Sequence, residues 1–551
     1  MTKAQHKEEA MKADLIIESN AIYDGITPQP YSGFVAIKGN RIIKVSKDKD
    51  SSALMQDTTK VLKYDDKLVM TGFHDSHTHI IMAGMYKIYA NLMSARSEEE
   101  AVKMLKDHQA TLTVEEPWVY GFGWYHVFWN NKKLPTRHSL DKAFPDRPVL
   151  LINAEAHGAW VNTKALELAG IDRQTPNPFG GEIERDENGD ATGFLYESAT
   201  GLVGKVAFDF TPEQEMRIIN VYMEAANKYG ITSTNDMMPY FHGNMGNAAT
   251  YHLLEEEGKM TVRVHLAPDL IGDMDQAEDW RKTFTSDKLK INLMKQFLDG
   301  VCTTHTALML EPYADAPEST GYSLTDVDAI RKAVPEAHKR GFSVRLHSCG
   351  DGSARMALDF FEEAINQYGK NQCRHAIEHC ELVSEEDIPR FGQLGVIPSV
   401  QPEHIAITQI FAENPYPVVL GGQRASQTWP FRKLLDSAGI LAFGSDCPVV
   451  DNDPFLEIFR AVTRVHNDGQ PEGGWNPSQR LTLEEALRFY TYGSAYLVSR
   501  ENEMGTLTEG KFADLVVLDR NLFEADPRDI LKTQVLLTVM DGNIVYEQEK
   551  E

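Results

Sequence analysis

His77-Thr78-His79 follows the apolar run Leu68-Val69-Met70-Thr71-Gly72-Phe73. On a β-strand, residues two apart project to the same side. Two imidazoles at that spacing can close on one metal ion from the end of a sheet. Histidine pairs of this kind arise often by chance, so the weight falls on residues far downstream. Lys295 lies in Ile291-Asn292-Leu293-Met294-Lys295-Gln296-Phe297-Leu298-Asp299-Gly300. His347 closes Phe342-Ser343-Val344-Arg345-Leu346, and His379 closes Arg374-His375-Ala376-Ile377-Glu378. Asp446 closes Ile440-Leu441-Ala442-Phe443-Gly444-Ser445. Each is a metal-capable side chain at the end of a short apolar run, followed by Gly, Pro or a polar turn. Histidine and carboxylate can hold divalent ions, which bring the pKa of bound water towards ~7 and polarise a carbonyl. Hydrolysis of an unactivated amide needs both effects.

Residues placed this way belong at the C-terminal ends of barrel strands, where the loops build the site. The first strand is expected to end at His77. Later ones are expected near 233–237, 262–267, 291–297, 343–347, 374–379, 396–400 and 441–446. Helical patterns fall between them, at 212–229, 326–339 and 354–368. Alternating strands and helices predict a parallel α/β architecture, a (β/α)8 TIM barrel, and continuous apolar runs suit strands covered on both faces. The gap after the first strand is too long for one crossover, so 90–225 reads as an insertion over the barrel mouth. Both chain ends carry strand–turn–strand patterns, around Gly39-Asn40 and Asp541-Gly542. They predict a β-sandwich domain from 1–67 plus 499–551, with the barrel at 68–498.

The chain has 551 residues, 42% hydrophobic and 25% charged, as expected of a globular protein. Its net charge of −26 and lack of a basic stripe argue against nucleic acid as a partner. No apolar run approaches the ~20 residues that span a bilayer, so no membrane partner is expected. Residues 1–14 lack the apolar core of a secretory signal. Five cysteines form no CxxC pair, and the expected compartment is the reducing cytoplasm. A small-molecule substrate is expected, and a homodimer is the default assembly.

Together these motifs resemble the amidohydrolase superfamily, and within it the amidohydrolase-3 branch that includes N-substituted formamide deformylases. Gly72-Phe73-His74-Asp75-Ser76-His77-Thr78-His79 is similar to the first-strand motif of that family. Lys295 with Asp299-Gly300 matches its fourth strand, and the stretch from His347 to Ala354 its fifth. Ile377-Glu378-His379 matches the sixth, and Gly444-Ser445-Asp446-Cys447-Pro448 the eighth. The segments around Pro135, His157-Gly158-Ala159-Trp160, Gly180-Gly181 and Thr192-Gly193-Phe194 are also similar to the branch. The likeness runs over residues 13–545.

The resemblance implies two divalent ions, zinc-type, about 3.5–4 Å apart. It implies His77, His79 and Asp446 on the more buried ion and His347 and His379 on the outer one. Lys295, carboxylated by CO2, would bridge them. Burial beside cations lowers a lysine pKa, and carboxylation needs the neutral amine. Asp446 would take a proton from the attacking water and pass it to the leaving nitrogen. His157, Trp124 and Glu197 are candidate substrate contacts, beside Tyr125 and Trp160. The reaction implied is cleavage of a C–N amide bond, in an N-substituted formamide or N-acyl compound. An esterase or lactonase is the nearest alternative. Deaminases of the superfamily carry a glutamate after the third histidine, whereas Ser-Cys-Gly follows His347. A non-catalytic scaffold would be expected to lose ligands, and here all six are kept.

Other polar residues have plainer readings. His74, His265, His305 and His375 read as structural, and Asp299 and Asp351 as turn caps or outer partners of the ligands. Gly350-Asp351-Gly352 lacks the spacing of a phosphate loop.

Overall fold

The computed structural model describes residues 12–114, 116–154, 158–178, 180–239 and 245–549. Nine parallel strands carry most of the residues singled out above. They are β1 (Phe73–Thr78), β2 (Ile231–Met237), β3 (Arg263–Ala267), β4 (Leu289–Ile291), β5 (Leu293–Phe297), β6 (Ser343–Ser348), β7 (Ala376–His379), β8 (Ile397–Val400) and β9 (Ala442–Phe443). One sheet has the order β4-β3-β2-β1 and another β5-β6-β7-β8-β9. Single parallel bridges lie at Thr78–Cys447 and Asp269–Lys295. Helices Val327–Lys339, Asp351–Tyr368, Ile388–Leu394 and Phe431–Ala438 separate β5 through β9 in turn. Asp326 caps the first of them, accepting from the N–H groups of Asp328 and Ala329.

Two local differences from expectation matter for the site. The strand expected at 291–297 is broken at Asn292: residues before it pair with β3 and residues after it with β6. Asn292 accepts the N–H of Ser343 and donates Nδ2 to the Val498 carbonyl, so it serves both sides of the break. The strand expected at 441–446 stops at Phe443. Ser445 donates its N–H to the Asp75 carboxylate, and Asp446 turns into the left-handed region at φ 60°.

The two chain ends meet in one eight-stranded sheet. Its order is Asn543–Glu547, Val535–Met540, Leu515–Leu518, Leu68–Thr71, Leu15–Tyr23, Tyr31–Lys38 and Arg41–Ser46, with Lys60–Lys63 also paired to Leu15–Tyr23. Alternation buries Leu15, Ile17, Val35 and Ile37 in one cluster and Ile16, Phe34 and Ala36 in another. The two expected hairpin turns abut: a Cβ on Gly542 would stand 1.9 Å from the Gly39 carbonyl oxygen, so only glycine fits. Buried Arg263 of β3 binds Asp514 at 2.7 Å and Asp541 at 2.8 Å, tying this sheet to the parallel strands.

These sheets belong to one unit, Met1–Thr78, Met223–Met237 and Glu255–Glu551; the second is His79–Tyr222 with Met238–Leu254. The second unit has its own six-stranded sheet, ordered Gly181–Arg185, Ala191–Glu197, Gly158–Val161, Val149–Asn153, Val119–Trp124 and Ala90–Asn91. Trp124, Trp129, Trp160 and Phe194 fill its core with Leu105, Leu140 and Leu151. All five cysteines are free thiols. Among the described residues, no helix is long and apolar enough to cross a membrane.

Candidate metal centre

His77 on β1, Lys295 on β5, His347 on β6 and His379 on β7 all come from parallel strands, and Asp446 from the loop after β9. The His347 and His379 ring centroids are 4.2 Å apart, and those of His77 and His379 are 5.1 Å apart. Close approach of the loop depends on Gly444, where a Cβ would stand 2.5 Å from the His77 nitrogen. His379 and Asp446 both adopt left-handed backbone, at φ 71° and 60°. Such conformations cost ~1–3 kcal/mol each in non-glycine residues and gather at functional sites.

Hydrogen bonds assign the imidazole tautomers. His77 Nδ1 lies 2.6 Å from Glu378 Oε2, so Nδ1 carries the proton and the Nε2 lone pair points elsewhere. It faces Asp446 Oδ1 at 3.3 Å. Two lone pairs meet there, an arrangement that calls for a cation between them. Neighbouring ligands on a tetrahedral ion with bonds of about 2.0–2.2 Å stand about 3.3–3.6 Å apart. His347 Nε2 donates to the Gly300 carbonyl at 3.1 Å, which leaves the His347 Nδ1 lone pair for coordination.

The remaining donors fit a divalent ion as well. Lys295 Nζ and both ring nitrogens of His379 are buried and, among the described residues, have no hydrogen-bond partner. An unmatched buried polar atom costs ~1–3 kcal/mol, so several beside one carboxylate are costly unless they serve as ligands. Burial holds His77 down at about 4 and His347 at about 3, with the Lys295 charge adding to both. Neutral imidazole is the form that binds metal. Burial likewise brings the Lys295 amine from 10.5 to about 8, although Glu378 and Asp446 pull it upward.

Around these residues lies a set of polar side chains that fixes them. Burial alone would raise the Glu378 carboxyl, but Arg345 and His77 hold it well below the usual carboxylate range. Arg345 Nε donates to Glu378, and its Nη2 donates to the Ser76 carbonyl at 3.0 Å. Asp75 accepts from Ser445 Oγ at 2.7 Å and from the Ser445 N–H at 2.9 Å, joining β1 to the Asp446 loop. Asp299 accepts the N–H groups of Leu308, Cys349 and Gly350 and the Ser353 hydroxyl. It therefore shapes the turn after His347. Replacing Glu378 with glutamine puts an amide against His77 Nδ1 and disturbs the tautomer. Glu378→Gln is expected to weaken metal binding about 10–100-fold, read by competition with a chelator.

Sequence reasoning missed two residues here. His404, on the single turn Pro402–Ala406 after β8, has its Nε2 3.8 Å from Asp446 Oδ2, and its ring is stacked on His379. Gln401 precedes that turn and is buried. Their segment, Gln401-Pro402-Glu403-His404, carries no periodic signal, so only the fold brings it to the centre.

The other expected residues differ in setting. His79 is the first residue of the second unit. Trp124 is wholly buried in that unit's core, with Nε1 donating to the Leu151 carbonyl at 3.0 Å. Glu197 ends the strand Ala191–Glu197 at φ 45°. His157 lies outside the described residues. His74 binds Asn235 at 2.9 Å, and His305 binds Asp315 at 2.8 Å. His338, Cys373 and His375 also cluster. There His375 Nδ1 accepts the Val344 N–H, His375 Nε2 meets His338 Nδ1, and His338 Nε2 meets the Gly369 carbonyl. Every ring nitrogen of that cluster is engaged, so it is a structural relay.

The chain is 29% identical over 543 residues to Protein LONG AFTER FAR-RED 3 of Arabidopsis thaliana, covering 97% of this chain and 92% of that one. It is 26% identical over 536 residues to N-substituted formamide deformylase of Arthrobacter pascens, covering 93% and 95%. An uncharacterised metal-dependent hydrolase from Pyrococcus horikoshii OT3 superposes with a TM-score of 0.77 at 26% identity, covering 93% of this chain and 99% of that chain. The model of the amidohydrolase family matches residues 65–546, and the chain belongs to that family of metal-dependent hydrolases.

Proposed function

We propose that the protein hydrolyses the C–N bond of a linear amide, with an N-substituted formamide or another N-acyl compound as its small-molecule substrate. The observation that carries this reading is the His77 Nε2 lone pair facing the Asp446 carboxylate at 3.3 Å. Similarity to N-substituted formamide deformylase over nearly its whole length supports the substrate class. In this reading β1 to β9 are the strands of a (β/α)8 barrel, with β4 and β5 one strand interrupted at Asn292. The bridges at Thr78–Cys447 and Asp269–Lys295 are its seams.

His77, His79 and Asp446 would hold one ion and His347 and His379 the second, with Lys295, carboxylated on Nζ, as a further ligand. Two zinc-type ions bound there would supply an activated water and polarise the substrate carbonyl. Asp446 accepts the proton of the attacking water and returns it to the nitrogen as the C–N bond breaks. A C–O bond forms, and the products are the acid and the free amine. Glu378 and Arg345 hold the His77 ring in register throughout.

The test uses protein stripped by a chelator and reloaded with zinc, against N-formyl and N-acyl amines with matching esters. The expected result is amide turnover in the loaded protein alone, with equal release of amine and acid. Turnover confined to esters would move the reaction to ester hydrolysis. Fully loaded protein with no amide turnover would sink the proposal.

A further inference from the structure

The turn after β8 has no assigned task in this reading, yet it is firmly anchored beside the centre. The Glu403 N–H donates to Glu457 Oε2 at 2.7 Å. The Glu403 carboxylate accepts Arg460 Nε at 2.9 Å and Nη2 at 3.0 Å, and Arg460 Nη2 also reaches Asn467 Oδ1 at 2.7 Å. Glu403, Glu457 and Arg460 are all buried. A buried ion pair adds little stability over apolar packing of the same volume, so its use here is better explained by what it fixes in place.

What it fixes is a set of buried polar atoms without a hydrogen-bond partner among the described residues: His404 Nε2 and both amide atoms of Gln401. The His404 ring lies parallel to His379 at 12°, with centroids 5.9 Å apart. Its Nε2 is 3.8 Å from Asp446 Oδ2, too far for a direct hydrogen bond. That places a ring nitrogen with no hydrogen-bond partner among the described residues beside the Asp446 carboxylate, which favours its carrying a proton. Donors held rigidly where charge develops are an effective device for stabilising a transition state.

We propose that His404 touches the substrate, its Nε2–H donating to the carbonyl oxygen of the amide held beside Asp446. The bond strengthens as that oxygen gains negative charge, so it favours the transition state over the bound amide. This rests on the amide-hydrolase reading above. His404 would then be a catalytic residue on the loop after β8, in addition to the metal ligands.

Two variants separate this role from its rivals. His404→Phe keeps a flat ring against His379 and removes the donor, whereas His404→Gln keeps a donor without the ring. Metal content, kcat and KM are measured for both on the best amide of the panel. The expected result is wild-type metal content in both, with kcat of the Phe variant down about 10^2–10^3-fold and KM little changed. The Gln variant recovers a clear part of that loss. Metal loss in the Phe variant would make His404 a ligand and overturn the proposal. Equal loss in both variants would assign the effect to ring packing, and unchanged kcat would leave His404 no part in the reaction. Each of these leaves the hydrolase reading standing, whereas a loaded wild type without amide turnover removes both.

Discussion

Lys295→Ala is expected to abolish binuclear metal binding: about two ions per chain in the wild type should fall to one or none. Activity should fall further than the ~100-fold typical of losing an outer partner of a metal ligand. The reason is the environment of the amine. Lys295 is 0% exposed, with no hydrogen-bond partner for Nζ among the described residues, and its charge acts on His77 of β1, His347 of β6 and His379 of β7. An ammonium there beside two dications would be repelled, whereas a carbamate is an anion that can hold both. Elemental analysis of wild type and variant decides the matter. Equal metal in both would end the bridging role.

The same amine gives a pH dependence with a definite sign. Burial lowers its pKa from 10.5 to about 8. At fixed dissolved CO2, recovery of metal binding by stripped protein should therefore rise as pH passes through about 8, where the neutral amine forms. Carboxylation joins Nζ to the carbon of CO2 and releases one proton. In the metal-free protein the folded state also binds fewer protons than the unfolded chain between about 8 and 10.5. Stability should rise with pH across that window, by at most about 1.4 kcal/mol per unit. Lys295→Ala should lose that contribution, visible as a difference between the two denaturation series.

How far the site could be read in advance depended on how far each residue obeys a local rule. Lys295, His347 and His379 lie in or close short apolar runs that are the buried strands β5, β6 and β7, whereas the run before His77 is the separate strand Leu68–Thr71 of the eight-stranded sheet. Asp446 was legible as a residue but not in its position, because its loop is held by Asp75, 371 residues earlier than Asp446 and paired to Ser445. Glu378 stands next to His379 in the chain, yet its partner His77 is 301 residues away and only the pairing of strands reveals it. The break at Asn292 turns on one residue that bonds to two distant segments, through its backbone carbonyl to Ser343 and its side chain to Val498. The sheet of the second unit escaped notice for a different reason. Strands such as Gly181–Arg185 are only partly buried and mix glycine with charge, so no alternation marks them.

Asp446→Asn isolates proton transfer from metal binding. The amide oxygen of asparagine can still sit where Asp446 Oδ1 faces His77, at 3.3 Å in the native site, so most of the metal should remain. What is lost is a group that can accept a proton from water and deliver it to nitrogen. A positioned acid–base group contributes about 10^2–10^4-fold, and kcat on an alkyl amide should fall by that amount. The size of the loss should depend on the leaving group. An alkylamine cannot depart as its anion and needs the proton, whereas a nitroanilide leaves more easily without it. The variant should therefore be impaired much less on the nitroanilide than on the alkyl amide. Equal impairment on both, with full metal content, would confine Asp446 to activating water. Loss of metal together with loss of activity would make it a ligand first, and the proton carrier would then have to be sought elsewhere around the centre.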